Sequence, residues 1–274
     1  MVVVQLNGGL GNWMFQVAFQ EYLKTLTNND VRLHVHGKSP HAPSDLMNTI
    51  FKNWKSEVFT HGSCTFFDEP NLIPQNWEQI VNILPEAPSS EASRCQRILP
   101  WSRLCAPPRR PEVCIIGYFQ NYKYITSSFL NKITLPTDSL IRHPGIEDTV
   151  FLHIRGGDYL NIPLHYIDLD NYYVCAIDKF PKGTKFSIFT NDLHYANKMK
   201  FLKDIDCEFI NESELDSLYL MSQCKGGICA NSSFSWWGAY LNRNRTITLP
   251  SKWFNSEILY AEGYYFKEAT IISV

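Results

Sequence analysis

The sequence lacks any run approaching the ~20 consecutive apolar residues that a membrane-spanning helix needs. Its opening, MVVVQLNGGLGNWMF, has neither the basic n-region nor the small-residue cleavage site of a secretory leader. The chain is therefore expected to be cytoplasmic, with no integral membrane segment. It has little net charge: 25 Lys and Arg against 27 Asp and Glu leave −2, so no broad basic field exists to hold a nucleic acid or an anionic membrane. Any anion must be bound locally. The eight cysteines (Cys64, Cys95, Cys105, Cys114, Cys175, Cys207, Cys224 and Cys229) form no Cys-x-x-Cys pair. Without an export signal they are expected to stay reduced, as small core residues. For the same reason the sequons at Asn211, Asn231 and Asn244 are expected to go unused. The eight histidines show no His-Glu-x-x-His spacing, and neither a Walker A loop nor Gly-x-Ser-x-Gly occurs. No internal repeat or low-complexity tract stands out.

What remains is an ordinary globular composition, 45% hydrophobic and 14% aromatic over 274 residues, enough for one large core or two modest ones. An apolar strand at Val2 to Leu6 is followed by a Gly-rich turn and by Met14, Val17, Ala18 and Tyr22 at helical spacing, which is a βα unit. The pattern then blurs. Residues 84–111 are crowded with Pro, Ser and Arg, and an irregular insertion is expected around 38–111. Val113 to Tyr118 reads as a strand. From Thr149 onward strands and helices alternate: strand Thr149–Ile154, helix Asn171–Asp178, strand Lys185–Thr190, helix His194–Leu202 and strand Cys207–Ile210. A helix opened by Asn211 with Glu214 three residues later, strand Gly227–Ala230, a helix from about Ser235 and strand Thr246–Leu249 complete the series. This is an α/β pattern of parallel sheets covered on both faces. Two Rossmann-like halves are expected, 1–137 and 138–274, facing a central cleft.

Four polar segments follow predicted strands, where open α/β sheets bind ligands. Gly8-Gly9-Leu10-Gly11-Asn12 lets backbone approach a ligand at a helix start, although a tight βα turn explains the same residues and Gly-x-Gly-x-x-Gly is not satisfied. His153-Ile154-Arg155-Gly156-Gly157-Asp158 places His153 and Arg155 on one face of a strand; Arg155 suits a diphosphate, or an Arg-Asp ion pair beside a glycine turn. Ala230-Asn231-Ser232-Ser233-Phe234-Ser235-Trp236-Trp237-Gly238 reads as an anion site at a helix start or as a plain cap, with the Trp pair in the core in either case. Thr190-Asn191-Asp192 offers Asp192 to a nucleoside or as a helix cap. Asp168-Leu169-Asp170 has the DxD form of a divalent-metal site, yet Asp170 stands where an N-cap is expected, so no metal is assigned.

Taken in order, Gly8-Gly9-Leu10-Gly11-Asn12-x-Met14-Phe15-Gln16, Gly117-Tyr118-Phe119-Gln120-x-x-Lys123-Tyr124, His153-Ile154-Arg155-x-Gly157-Asp158-Tyr159 and Ala230 to Ala239 resemble the α-1,2-fucosyltransferase family over nearly the whole chain. Asp216 with Leu220-Met221-Ser222-x-Cys224, and Pro250-x-x-Trp253-Phe254, fit the same resemblance. It implies a GT-B arrangement, GDP-L-fucose or a related GDP-6-deoxyhexose such as GDP-rhamnose as donor, a sugar acceptor, inversion, and neither cofactor nor metal. By that resemblance Arg155 holds the β-phosphate, His153 supports the nucleotide side, and Asp158 is either the general base or the residue that orients Arg155. The donor is surrounded by Gly9, Gly11, Asn12, Asn191, Asp192, Asn231, Ser232, Ser233, Phe234 and Ser235; Trp13, Tyr118 and Gln120 are candidates for the acceptor. The chain departs from the family in having Gly156 in place of a second Arg, Trp13 in place of Gln, Gly226 in place of His, and Asn191-Asp192 in place of an acidic pair. A catalytically inactive glycan-binding protein is the alternative of another class.

Overall fold

A computed structural model of the chain describes residues 1–28, 30–35, 45–59, 64–68, 112–243, 245–256 and 261–274. Strand β1 (Val2–Leu6) is buried at all five positions, as expected of a parallel strand covered on both faces. Helix α1 (Leu10–Leu26) follows and ends where Thr27 turns extended and donates to the Leu23 carbonyl. Next come β2 (Val31–Val35), a 3-10 turn at Lys52–Glu57, β3 (Cys64–Asp68) and β4 (Glu112–Ile116). These strands form one parallel sheet in the order β2-β1-β4-β3. Of the expected insertion, residues 45–59 and 64–68 are described, and β3 is a strand that the sequence pattern did not reveal; the remainder lies outside the described residues.

Short helices α2 (Ser127–Lys132) and α3 (Ser139–Arg142) lead to a second sheet. Its elements are β5 (Val150–Ile154), α4 (Asp170–Ile177), β6 (Phe186–Thr190), α5 (Leu193–Ala196), β7 (Cys207–Phe209), α6 (Glu214–Gln223), β8 (Gly226–Ile228), α7 (Ser233–Leu241), β9 (Thr246–Pro250) and β10 (Ala269–Ile272). All six strands are parallel, ordered β10-β9-β8-β5-β6-β7. The α/β reading therefore stands. No helix among the described residues is long and apolar enough to cross a membrane.

Local expectations are corrected at four places. The helix expected over His194–Leu202 breaks after Ala196 because Met199 turns extended (ψ 115°) and a 3-10 turn at Lys200–Asp204 then buries Phe201. The α6 cap is Ser213, whose hydroxyl accepts from the Asp216 amide; Asn211 lies too early to reach it. Asp170 is the first residue of α4 and Leu169 holds the cap position, while Asp168 before it accepts from the Asp170 amide. Among the cysteines, Cys114, Cys224 and Cys229 are buried, but Cys175 is exposed on α4.

The two sheets share a core. Helix α1 is buried almost all round because one side covers the first sheet and the other packs on α7. Phe15 lies 4.6 and 4.9 Å, ring to ring, from Trp236 and Trp237, both fully buried. The indole of Trp237 donates to the Gly11 carbonyl at 2.9 Å. A helix without a wet face must satisfy its polar side chains internally. Gln16 accepts from the Asn7 amide and donates to the Gly117 carbonyl, while Glu21 receives Lys24, Lys132, Ser128 and Trp54. These bonds fix α1, and with it the turn that precedes it.

Candidate active site

The carboxyl ends of β1, β5 and β8 open on one cavity of about 390 Å³, within the ~300–1,000 Å³ of small-molecule sites. Its walls are Gly8 to Asn12 and Tyr118 and Gln120 on the first-sheet side, and Arg155, Asp158, Tyr159, Ile162, His165, Glu214 and Ser232 to Phe234 on the other. Trp253, Phe254 and Tyr264 complete it.

Arg155 leaves the end of β5 and is only 23% exposed. Its Nη2 donates to Asp158 Oδ1 at 2.6 Å, and its guanidinium lies 4.6 Å from the Tyr159 ring centre. The ring of His165 stacks on Tyr159 at 4.7 Å. The guanidinium is thus pinned by a carboxylate and an aromatic face, while its buried Nε has no partner among the described residues. Asp158 is already engaged with Arg155, the geometry of an orienting residue. His153 shares the strand but does not line the cavity: it is 2% exposed, with its ring 5.8 Å from that of Phe234. Burial, reinforced by the Arg155 charge, pushes it down to about 3, so the imidazole is neutral. It supports the floor of the site.

Asn191 and Asp192 do not reach the cavity. Asn191 Oδ1 accepts from the Gly156 amide at 2.9 Å and its Nδ2 donates to the Gly156 carbonyl; Asp192 Oδ2 accepts from the Gly157 amide at 3.0 Å. The other oxygen of Asp192 caps α5 at the Tyr195 amide, and these amides hold its carboxyl below the usual range. Together they brace the Arg155 loop from behind, around a Gly157 whose φ of 62° favours glycine. The brace also explains Gly156. A Cβ there would lie 2.8 Å from Asp192 Cβ and 2.9 Å from the Tyr195 ring, which leaves no room for the second Arg of the related family.

The other anion-binding wall is the start of α7. Ser232 caps it without a side-chain bond, so its hydroxyl and the first-turn amides remain available to a ligand. Ser233 donates to Asn12 Oδ1 at 3.0 Å, Gln120 donates to the same oxygen at 2.8 Å, and the Tyr264 hydroxyl donates to Gln120. A Cβ on Gly11 would lie 2.6 Å from the Ser233 carbonyl carbon, so at this point the two halves meet backbone to backbone. Asn231 and Ser235 lie behind the wall. Asn231 donates to the His165 and Trp253 carbonyls, and Ser235 to those of Ala230 and Ser232. Of the acceptor candidates, Tyr118 (52% exposed) and Gln120 line the cavity. Trp13 does not: it is buried in the core beside Phe51, because its position on α1 faces inward.

The polar motifs missed Tyr264, His165 and Glu214. Glu214 opens α6 and its carboxyl lies near the Leu10 amide at the start of α1. Burial pushes its carboxyl up to about 7, against the opposing pull of Arg155 and the Leu10 amide. Its signal in the sequence, an acidic residue just inside a helix start, is also that of an ordinary cap. Asp168 and Asp170 lie outside the cavity lining, and no three His, Cys, Asp or Glu side chains among the described residues cluster as a metal site requires.

The model of glycosyl transferase family 11 matches residues 117–272. An α-1,2-colitosyltransferase of Escherichia coli is 31% identical over 291 residues, covering 94% of this chain and 94% of that protein. The O-antigen biosynthesis glycosyltransferase WbnK of Escherichia coli is 26% identical over 294 residues, covering 91% and 93%. Among solved structures, fucosyltransferase NodZ from Bradyrhizobium superposes with a TM-score of 0.51 at 14% identity over 88% of this chain and 91% of that one. ADP-heptose LPS heptosyltransferase II of Escherichia coli gives 0.50 at 10% identity over 99% and 89%. The fold is the GT-B arrangement.

Proposed function

The chain belongs to glycosyl transferase family 11, and from that premise we propose that it moves L-fucose, or a closely related 6-deoxyhexose, from a GDP-sugar to a hydroxyl of a sugar acceptor. The anomeric carbon inverts and no metal takes part. The observation that carries this reading is the convergence of the pinned Arg155 guanidinium and the uncapped start of α7 on one cavity. A diphosphate fits that pair of groups. As the bond from the anomeric carbon to the β-phosphate breaks, negative charge builds on the leaving oxygen. A fixed cation and fixed amides in a secluded cavity stabilise that charge without reorganising. They supply the countercharge that a divalent ion provides elsewhere. Asp158 and Tyr159 hold Arg155 in place, the Asn191 and Asp192 brace holds its loop, and Tyr118 with Gln120 marks the acceptor side, where a 2-hydroxyl is the attacking group by analogy with the α-1,2-colitosyltransferase.

Colitose is L-fucose without its 3-hydroxyl, and the 31% identical relative is a colitosyltransferase, so GDP-colitose is the second donor to try. Calorimetric titration with GDP-fucose, GDP-colitose, GDP-rhamnose, GDP-mannose and UDP-galactose, with and without EDTA, tests the reading. Tight, EDTA-insensitive binding of one GDP-6-deoxyhexose is expected. Binding of none of the GDP-sugars would sink it and leave a glycan-binding protein in its place.

A further inference from the structure

We propose that Glu214 is the general base of the transfer, taking the proton of the acceptor hydroxyl as that oxygen attacks the anomeric carbon. The inference rests on the GDP-sugar reading above. In the step, a lone pair of the acceptor oxygen forms the new bond to the anomeric carbon. The bond from that carbon to the β-phosphate breaks, with its electron pair leaving on GDP, and the hydroxyl proton passes to a Glu214 oxygen and later to water.

Inversion sets the requirement that the base lie away from the leaving diphosphate. Asp158, Tyr159 and His165 belong to the leaving-group side: Asp158 is bonded to Arg155 at 2.6 Å, Tyr159 carries the guanidinium, and His165 is stacked on Tyr159. Glu214 reaches the same cavity from the start of α6, beside the Gly8 to Asn12 turn, with its carboxyl near the Leu10 amide. No described side chain donates to its carboxylate, so its second oxygen is not committed to a protein partner. The charged groups around it are few. Arg155 lines the same cavity and favours its ionised form, whereas Arg142, His143, Glu212 and Asp216 pair among themselves. A carboxyl raised to about 7 is ionised in the working range yet basic enough to accept a proton, which is the compromise a general base needs.

The test is GDP release from GDP-fucose, with water or lactose as the attacking hydroxyl, across pH. Wild-type kcat is expected to fall as pH drops through about 7, because the protonated carboxyl accepts nothing. Glu214→Gln should lower kcat by about 100-fold or more, lose that acid limb, and keep GDP affinity within about 3-fold in calorimetry, as for a group that acts after donor binding. His165 is pushed below its usual value by burial, so a limb belonging to it would lie lower. Because folding holds the Glu214 proton more tightly than the unfolded chain does, its contribution to stability is lost as pH rises through about 7. Glu214→Gln should therefore melt no lower than wild type at pH 8, whereas loss of a mere helix cap would melt lower. If Glu214→Gln does not fold, Glu214→Asp should retain the acid limb with kcat down about 10-fold. Wild-type kcat in either variant, or an acid limb that survives Glu214→Gln, overturns the base assignment alone. A wild-type protein that neither binds nor turns over any GDP-sugar overturns the function itself.

Discussion

Two turns that line the cavity meet each other, and they solve the same problem with different residues. Each follows a buried parallel strand, each opens a helix, and neither helix has a side-chain bond at its cap. Before α1 the chain uses Gly8, Gly9 and Gly11; before α7 it uses Asn231, Ser232 and Ser233. Gly11 is there for closeness, since a methyl group would sit 2.6 Å from the Ser233 backbone, and Ser233 is there for reach, since its hydroxyl crosses to Asn12. Bringing two positive helix ends together is costly unless an anion lies between them. Glu214 serves the α1 end, and the α7 end is left for a ligand beside Arg155. One wall therefore positions and the other neutralises charge.

Removing the charge should have the largest effect. Arg155→Ala is expected to lower kcat by about 10³-fold, the scale of deleting a preorganised electrostatic group. GDP affinity should fall by about 1.5 to 3 kcal/mol, as for a charged hydrogen bond. Stopped-time assays with GDP-fucose and calorimetry check both; near-normal turnover would mean that the neutralising wall is α7 alone.

Closing the contact tests the positioning wall. Gly11→Ala forces a methyl group into backbone that cannot yield, so the helix ends must separate. A stability loss of about 1 to 3 kcal/mol is expected from overpacking, with kcat down about 100-fold as the reacting atoms drift apart. Thermal denaturation alongside the assay distinguishes this from simple unfolding. A fully active Gly11→Ala protein would show that the close approach serves packing only.

Asp158→Asn should be milder. It keeps a hydrogen-bond acceptor for Arg155 but removes the charge, so kcat should fall about 10-fold, corresponding to roughly 1.4 kcal/mol, with the acid limb near pH 7 intact. Loss of that limb would return the base to Asp158 and break the inference about Glu214.

The same contrast explains what the sequence made legible. Strands β1 and β5 stand out because parallel strands buried on both faces are written as apolar runs, and polar residues just past such runs mark the site. Arg155, Ser232, Ser233 and Asn12 were readable in this way, whereas Gln120 came only from the family resemblance. Asn191 and Asp192 also follow a strand, but their side chains fold back onto Gly156 and Gly157, a direction set by loop geometry that no local pattern encodes. Trp13 was ambiguous because its burial comes from packing beside Phe51, a partner distant in the chain. Glu214 was hidden for a related reason. Its neighbours, Leu10 and Arg155, come from two other strand ends, and only the closed fold turns a cap-like glutamate toward a cleft.

The smallest expected effect offers the sharpest measurement of how the two walls are tied. Asn12 Oδ1 accepts from both Ser233 and Gln120, so Asn12→Ala should cost about twice what Ser233→Ala costs, at about 0.5 to 1.5 kcal/mol for each neutral bond. In a double-mutant cycle the pair should couple by about 0.5 to 1.5 kcal/mol, because once Asn12 is truncated the Ser233 hydroxyl has nothing left to reach across the contact. Denaturant midpoints give the coupling in the free protein, and calorimetry with GDP gives it in the complex. A larger coupling in the complex would mean that the bound diphosphate draws the Ser233 turn toward the first wall. Zero coupling in both states would mean that Gly11 against the Ser233 backbone ties the walls by contact alone, and that the hydroxyl of Ser233 is there for the ligand.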